Sequence, residues 1–535
     1  MLIESEDVRM VRISRRSYLI SSLAGPLAIQ LARAAATPVT AETAYGKVRG
    51  VSVKGVDIFR GIPYGGPTEG TARFLPPSKP AKWSGVRDAA VTGPRCVQGP
   101  GNIFLDPIIG EYFGGGRPDR VELAQQTDSE NCLVLNVLTP ELRGRRPVMV
   151  YIHGGGFSNG SSMLTLFGDE LPREQDIVLV GINHRLNVFG YLYLGGLSDR
   201  YAIGNPGQLD LVAALEWVRD NISNFGGDPG NVTIFGESGG GAKVSTLMGM
   251  PAAKGLFHKA AVQSGSMLRV GEPESATARA KAMMAKLGLT SVDHLQNVPA
   301  DELLKAGSGS GPMGLGPVVD GHSIPQQTWD PSAPDVSGGV PMIIGNCKDE
   351  MSLFSLKNEA LFNLDDASLR AELVKARLAE DKVDPLLALY RRDHPRENPT
   401  DLFFRISSDR GARRNVAKQA ELKLAQDKAH VYVYYFQWNT PCAGGKIRAF
   451  HTADLPLTMR LVLYPEAEQL SRKLSGAWSS FARNGNPSQK ELAWPAYTTS
   501  QRATLAFDAV GSEAVNDPDR DERIMLRDLP SGGLL

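Results

Sequence analysis

Short apolar runs recur through the middle of the chain, at 133–138, 148–152, 177–182, 232–235, 260–263 and 342–345. They are continuous rather than alternating, as expected of strands covered on both faces. Between 208 and 224 the pattern changes: Leu211, Val212, Leu215, Val218 and Ile222 return every three or four residues and make one helical stripe. Strands of this kind with helices between them predict an α/β protein with a mostly parallel central sheet and helices on both faces. Residues 46–60 alternate and predict a β-hairpin at a sheet edge, and 430–436 (HVYVYYF) returns to strand character late in the chain.

Two stretches break this rhythm. Residues 275–305 read as helical and more polar, with Ala276, Ala280, Met283, Met284 and Leu287 on the apolar side. Residues 353–428 read as charged amphipathic helices placed between two sheet elements. Both are expected as helical insertions, at about 270–310 and 353–428, the second either a cap over a site or a solvent-facing helical subdomain. The glycine-rich pieces 99–116 and 307–316 are expected as loops, the first as part of a rim over a site. No internal repeat is present.

The chain has 535 residues, 42% of them hydrophobic, and a formal net charge of +0. That suits a large soluble core and gives no basic face for a nucleic-acid partner. The N-terminus stands apart. Arg15 and Arg16 precede an apolar stretch to Leu31, then Arg33-Ala34-Ala35-Ala36. Charged region, apolar region and small-residue cleavage site in that order resemble a twin-arginine export signal over 1–36. Broken by Gly25 and Pro26, the stretch is too short for a comfortable membrane span, so no stable membrane insertion is expected once it is removed. Export makes disulfides permissible among Cys96, Cys132, Cys347 and Cys442.

Chemistry concentrates at two glycine-rich turns. The run 232–235 leads into Gly236-Glu237-Ser238-Gly239-Gly240, followed by a helix-forming segment. Strand, glycine-bracketed Ser and helix is the context of a nucleophile elbow, a turn so tight that side chains two before and two after the Ser would collide. The run 148–152 leads into His153-Gly154-Gly155-Gly156. Successive glycines after a buried strand let backbone N–H groups face a cavity and hold an oxyanion.

A Ser hydroxyl is a poor nucleophile and needs a base, oriented in turn by an acid. Of the histidines downstream of Ser238, His294 and His394 lie in polar helices or turns, His430 opens a strand, His322 is in a loop and His258 follows too closely. His451 sits in a loop after the last strong strand and is the natural base. At the end of 341–345, either Asp349 or Glu350 fits the acid by position, and spacing does not separate them.

These residues resemble the type-B carboxylesterase/lipase family, cholinesterase-like members of the α/β-hydrolases. The resemblance runs through Phe59-Arg60-Gly61-Ile62-Pro63-Tyr64, Trp83-Ser84-Gly85-Val86-Arg87, the block 130–137, the elbow block 225–238, and 254–258 with Gln263-Ser264-Gly265. It implies a single α/β-hydrolase catalytic domain over 37–535. It also implies Ser238 as nucleophile, Glu350 as acid, His451 as base, Gly155, Gly156 and Gly239 as oxyanion donors, and Glu237 as a carboxylate beside the triad. It further implies a Cys96–Cys132 disulfide. Three positions depart from the family: Asn131 for Asp, Gly239 for Ala and Met351 for Gly. Cys347 and Cys442 flank the acid and the base in sequence, either as buried thiols or as a bridge between the two loops.

The expected protein is thus a secreted or periplasmic serine esterase acting on small-molecule esters, with no metal or organic cofactor and with room for bulky alcohol groups. A non-catalytic recognition domain on this fold, or a lipase, amidase or thioesterase, is the alternative. The sequence does not distinguish a monomer from a homodimer.

Overall fold

The computed structural model describes residues 36–99, 110, 112–113, 126–308, 314–527 and 529. Nearly all of 1–36, expected as an export signal, most of 99–116 and the centre of 307–316 lie outside the described residues.

The core is one large sheet. Its strands in chain order are β1 Thr37–Thr43, β2 Gly46–Val53, β3 Val56–Pro63, β4 Val134–Thr139, β5 Arg146–Ile152, β6 Val178–Ile182, β7 Gly227–Glu237, β8 Lys259–Gln263, β9 Met342–Cys347, β10 Val431–Phe436, β11 Ala503–Phe507 and β12 Glu513–Asn516. They lie in the order β1-β2-β3-β4-β6-β5-β7-β8-β9-β10-β11-β12, with Val86–Asp88 pairing beside β2. From β6 through β11 every pairing is parallel; those between neighbours from β1 to β6 and between β11 and β12 are antiparallel. The expected mostly parallel centre is therefore framed by antiparallel edges, one of them the 46–60 hairpin.

Period-two geometry explains why the central runs are apolar throughout. Val148, Val150, Ile152, Ile234, Val262 and Ile344 enter one core together with Leu211, Leu215 and Val218 of α1, Pro206–Asn221. Met149, Tyr151, Phe235, Ala261 and Ile343 enter the opposite core, against Leu470, Leu474, Trp478 and Phe481 of the helix Glu468–Asn484. Each face of the sheet is thus sealed by helix, and no helix among the described residues is long and apolar enough to cross a membrane.

The 275–305 stretch differs from a single helix. It divides into Pro273–Lys286 and Ala300–Gly307, because Gly288 at φ +67° ends the first with a left-handed cap. Ala276, Ala280, Met283 and Met284 are buried as the pattern predicts. Within 353–428, Leu369, Leu373, Leu386, Tyr390, Phe404 and Ile406 bury a separate apolar cluster, which also takes in Leu526.

Candidate active site

The strands β5, β7, β8 and β9 end at nearly one level: Ile152 pairs with Gly236, Glu237 with Gln263, and the Ser264 N–H reaches the Gly345 carbonyl at 2.8 Å. Loops leaving that edge therefore converge, as ligand sites of open parallel sheets do. Ser238 stands on one of them, half-buried, at φ 58° and ψ −126°. A non-glycine residue with positive φ is held there only by its surroundings. Its N–H donates to the Gln263 carbonyl at 2.9 Å, and its carbonyl accepts from Ala242 N–H at 3.0 Å as α2, Gly239–Leu247, begins. The bracketing glycines are required by contact: a Cβ on Gly236 would lie 2.6 Å from the Ile152 oxygen, and one on Gly240 at 2.0 Å.

Glu350 opens a short helix after β9, and His451 lies in a loop after β10. The His451 Nδ1 is hydrogen-bonded to Glu350 Oε2. The other Glu350 oxygen accepts Ser264 Oγ–H at 2.6 Å and Cys347 N–H at 2.8 Å. Asp349 points elsewhere, accepting Ala449 N–H at 3.3 Å and lying 3.5 Å from Lys348. Position alone could not divide the two acids; the geometry puts Glu350 on the imidazole.

The far side of the ring faces the elbow. His451 Nε2 lies 3.3 Å from Oε1 of Glu237, the residue before Ser238, and among the described residues neither atom has an aligned hydrogen-bond partner. Catalytic hydrogen bonds are often long in free enzymes. Burial pushes the Glu237 carboxyl well up, and Asp454 and Glu350 add to the rise. Burial alone would pull His451 down, but Glu237 and Glu350 outweigh it and hold the imidazole above its ordinary value. The two groups face each other closely enough to titrate as a coupled pair. Phe354, an exposed aromatic, lies 4.9 Å from the His451 ring and covers one side of it.

Two residues that sequence reasoning did not single out complete this network. Ser264, at φ 46°, fixes Glu350 from the next loop. Asp454, fully buried, accepts Tyr434 O–H at 2.6 Å and Gln263 Nε2 at 2.9 Å, anchoring the His451 loop to β10 and β8. Tyr112 ties the same loop to the expected rim, donating its O–H to the Ala453 carbonyl at 2.7 Å.

Opposite the elbow, Gly155 and Gly156 both have positive φ, +87° and +61°. The carbonyls of the loop turn into protein: Gly154 O lies 2.9 Å from His153 Nδ1, and Gly155 O accepts Ser158 and Asn159 N–H. The Gly156 backbone packs on Gly239, where a Cβ would sit 2.2 Å from the Gly156 oxygen.

The chain is now comparable with known proteins. The sequence pattern of the Carboxylesterase family matches residues 37–523. The chain belongs to the carboxylesterase family. It is 36% identical over 522 residues to para-nitrobenzyl esterase of Bacillus subtilis, covering 92% of this chain and 98% of that one. A solved structure of PNB esterase superposes with a TM-score of 0.76 at 33% identity, over 92% and 100% of the two chains. A Geobacillus stearothermophilus carboxylesterase gives 0.76 at 35% identity, over 91% and 99%. This carboxylesterase therefore has the α/β-hydrolase fold and hydrolyses carboxylic esters.

All four cysteines of the carboxylesterase are buried thiols. The Cys96–Cys132 disulfide implied by resemblance is not formed; the two thiols are hydrogen-bonded neighbours, and Cys96 Sγ accepts Leu186 N–H at 3.2 Å. Cys347 and Cys442 are likewise unbridged, Cys347 turning its thiol to Asp454 at 3.7 Å. Among the described residues, one group of three potential metal ligands occurs, His394, Asp519 and Glu522. Its members already have other neighbours, Asp519 pairing with Arg413 and Glu522 lying 3.2 Å from His394.

Proposed function

We propose that ester hydrolysis proceeds through an acyl-enzyme on Ser238. His451 Nε2 takes the Ser238 Oγ proton as Oγ attacks the ester carbonyl carbon. The carbonyl oxygen becomes an oxyanion held by the N–H groups of Gly155, Gly156 and Gly239, and Glu350 stabilises the imidazolium. His451 then gives its proton to the leaving alcohol. Water repeats the attack on the acyl group, and the carboxylic acid and free Ser238 are restored. The observation that carries this reading is the imidazole fixed by Glu350 on one nitrogen while the other faces the elbow. A recognition domain would have no use for a Ser held at positive φ next to a carboxyl that faces a buried imidazole.

Small to medium esters are the substrates this reading assigns, aromatic alcohol esters among them by analogy with para-nitrobenzyl esterase. The N-terminal pattern assigns the enzyme to export, and an oxidising compartment would close the adjacent Cys96 and Cys132. The test is labelling with a fluorophosphonate together with p-nitrophenyl ester turnover. Both are expected to vanish in Ser238→Ala, and turnover that survived the substitution would overturn the mechanism.

A further inference from the structure

Lys243 lies on α2, one turn beyond the elbow, and none of its surface is exposed. A buried ammonium ordinarily demands a carboxylate. Lys243 has no ion pair among the described residues. Its Nζ donates instead to two main-chain carbonyls, His153 O at 3.1 Å and Gly156 O at 2.7 Å, and sits 5.3 Å over the Phe157 ring. Those carbonyls mark the two ends of the glycine loop.

With Lys243 included, the hydrogen bonding of that loop closes. His153 O and Gly156 O go to the ammonium, Gly154 O to the His153 ring, and Gly155 O to Ser158 and Asn159 N–H. Every carbonyl from 153 to 156 is thus held on the protein side, which leaves the N–H groups of the intervening peptides directed the other way. The Gly156 carbonyl is also the atom a Cβ at 239 would strike. The ammonium draws this peptide into space that only a glycine at 239 leaves free.

We infer that Lys243 is a positioning residue, whose ammonium clamps both ends of the glycine loop and so sets where the Gly155 and Gly156 N–H groups meet the oxyanion. This rests on the acyl-enzyme reading above. The groups around the ammonium agree with such a role. His153 and His184 stack at 4.6 Å, and burial lowers both, His153 to about 3, so they stay neutral and put no second cation beside the ammonium. Burial also draws Lys243 itself down to about 7, and its nitrogen carries enough N–H groups to hold both carbonyls whether charged or neutral.

The test is Lys243→Met in the full-length enzyme. A trifluoromethyl ketone adds Ser238 Oγ to its carbonyl carbon, passes the Oγ proton to His451 and leaves an oxyanion, so its affinity reads the donors directly. The variant is expected to lose roughly 10- to 100-fold in kcat and in affinity for this ketone, somewhat less than loss of a whole donor. KM, and binding of the matching methyl carbinol, which forms no oxyanion, are expected to stay within about twofold. Adding Gly239→Ala to Lys243→Met is expected to cost much less than Gly239→Ala costs alone, since both displace the Gly156 peptide. Unchanged kcat and ketone affinity would overturn the assignment, as would Lys243→Met and Lys243→Leu both failing to fold, because the residue would then hold the fold rather than aim the loop. Failure of the acyl-enzyme reading is separate, since it appears as turnover in Ser238→Ala.

Discussion

Glu237 and His451 face each other across 3.3 Å in a pocket that leaves each only 2% exposed. With Glu350 on the other imidazole nitrogen, the base of the reaction lies between two carboxyl groups. A base works only when unprotonated, and both neighbours favour its protonated form, so activity is expected to fall as pH drops through a value above that of an ordinary histidine. Glu237→Gln removes one of the two negative charges. The acid limb of kcat/KM is expected to move down by about one pH unit, with kcat at high pH little changed. The pH profile checks it, and an unmoved limb would mean that Glu237 already carries a proton in the wild type.

Ser264 acts at one remove. Its hydroxyl and the Cys347 N–H hold the Glu350 oxygen that does not touch the imidazole. Ser264→Ala is expected to lower kcat about 3- to 10-fold with KM nearly constant, since one hydrogen bond to a charged group is worth about 1.5 to 3 kcal/mol, of which the remaining N–H recovers part. Steady-state kinetics on a p-nitrophenyl ester decide it.

Behind the glycine loop, Arg185 and Asp210 form a buried two-bond pair, Nε to Oδ2 at 2.9 Å and Nη2 to Oδ1 at 2.7 Å. Asn187, two residues along, donates its N–H to the Phe157 carbonyl at 2.7 Å, so the pair braces the segment under the loop. Asp210→Ala strands a buried guanidinium and is expected to cost about 3 to 5 kcal/mol in urea unfolding. Arg185→Met with Asp210→Leu should recover much of the loss, because the uncompensated charge is then gone.

Cys96 and Cys132 are neighbouring thiols, so oxidation requires little movement of the chain. Enzyme recovered from an oxidising compartment is expected to show two free thiols when denatured without reductant, belonging to Cys347 and Cys442. Reduction is then expected to lower stability by about 3 to 4 kcal/mol in the loop-entropy description. Four free thiols would refute the bridge.

The central strands were legible because a strand sealed on both faces has no polar positions to blur it, as 148–152 shows. The edges were not. β12, Glu513–Asn516, is exposed at every position and carries no apolar signal, and β1 was missed for a similar reason. β7 starts well before its apolar run: Gly227 already pairs with Arg146, and a register shift follows before Val232. The elbow and the glycine loop announce themselves locally, since their chemistry depends on missing side chains. Ser264 and Asp454 do not, for their partners at 350 and at 434 and 263 are far off in sequence. Asp349 and Glu350 are adjacent, and only the onset of a helix, which turns one toward His451 and the other toward Ala449, tells them apart.

The triad candidates sit at 238, 350 and 451, each on the connection that follows a different parallel strand. On the acyl-enzyme reading, the first four hundred residues hold the nucleophile and the acid but not the base, however well they pack. On the same reading, about four-fifths of the polypeptide must leave the ribosome before the imidazole arrives, so a product interrupted ahead of 451 is expected to be inert rather than partly active.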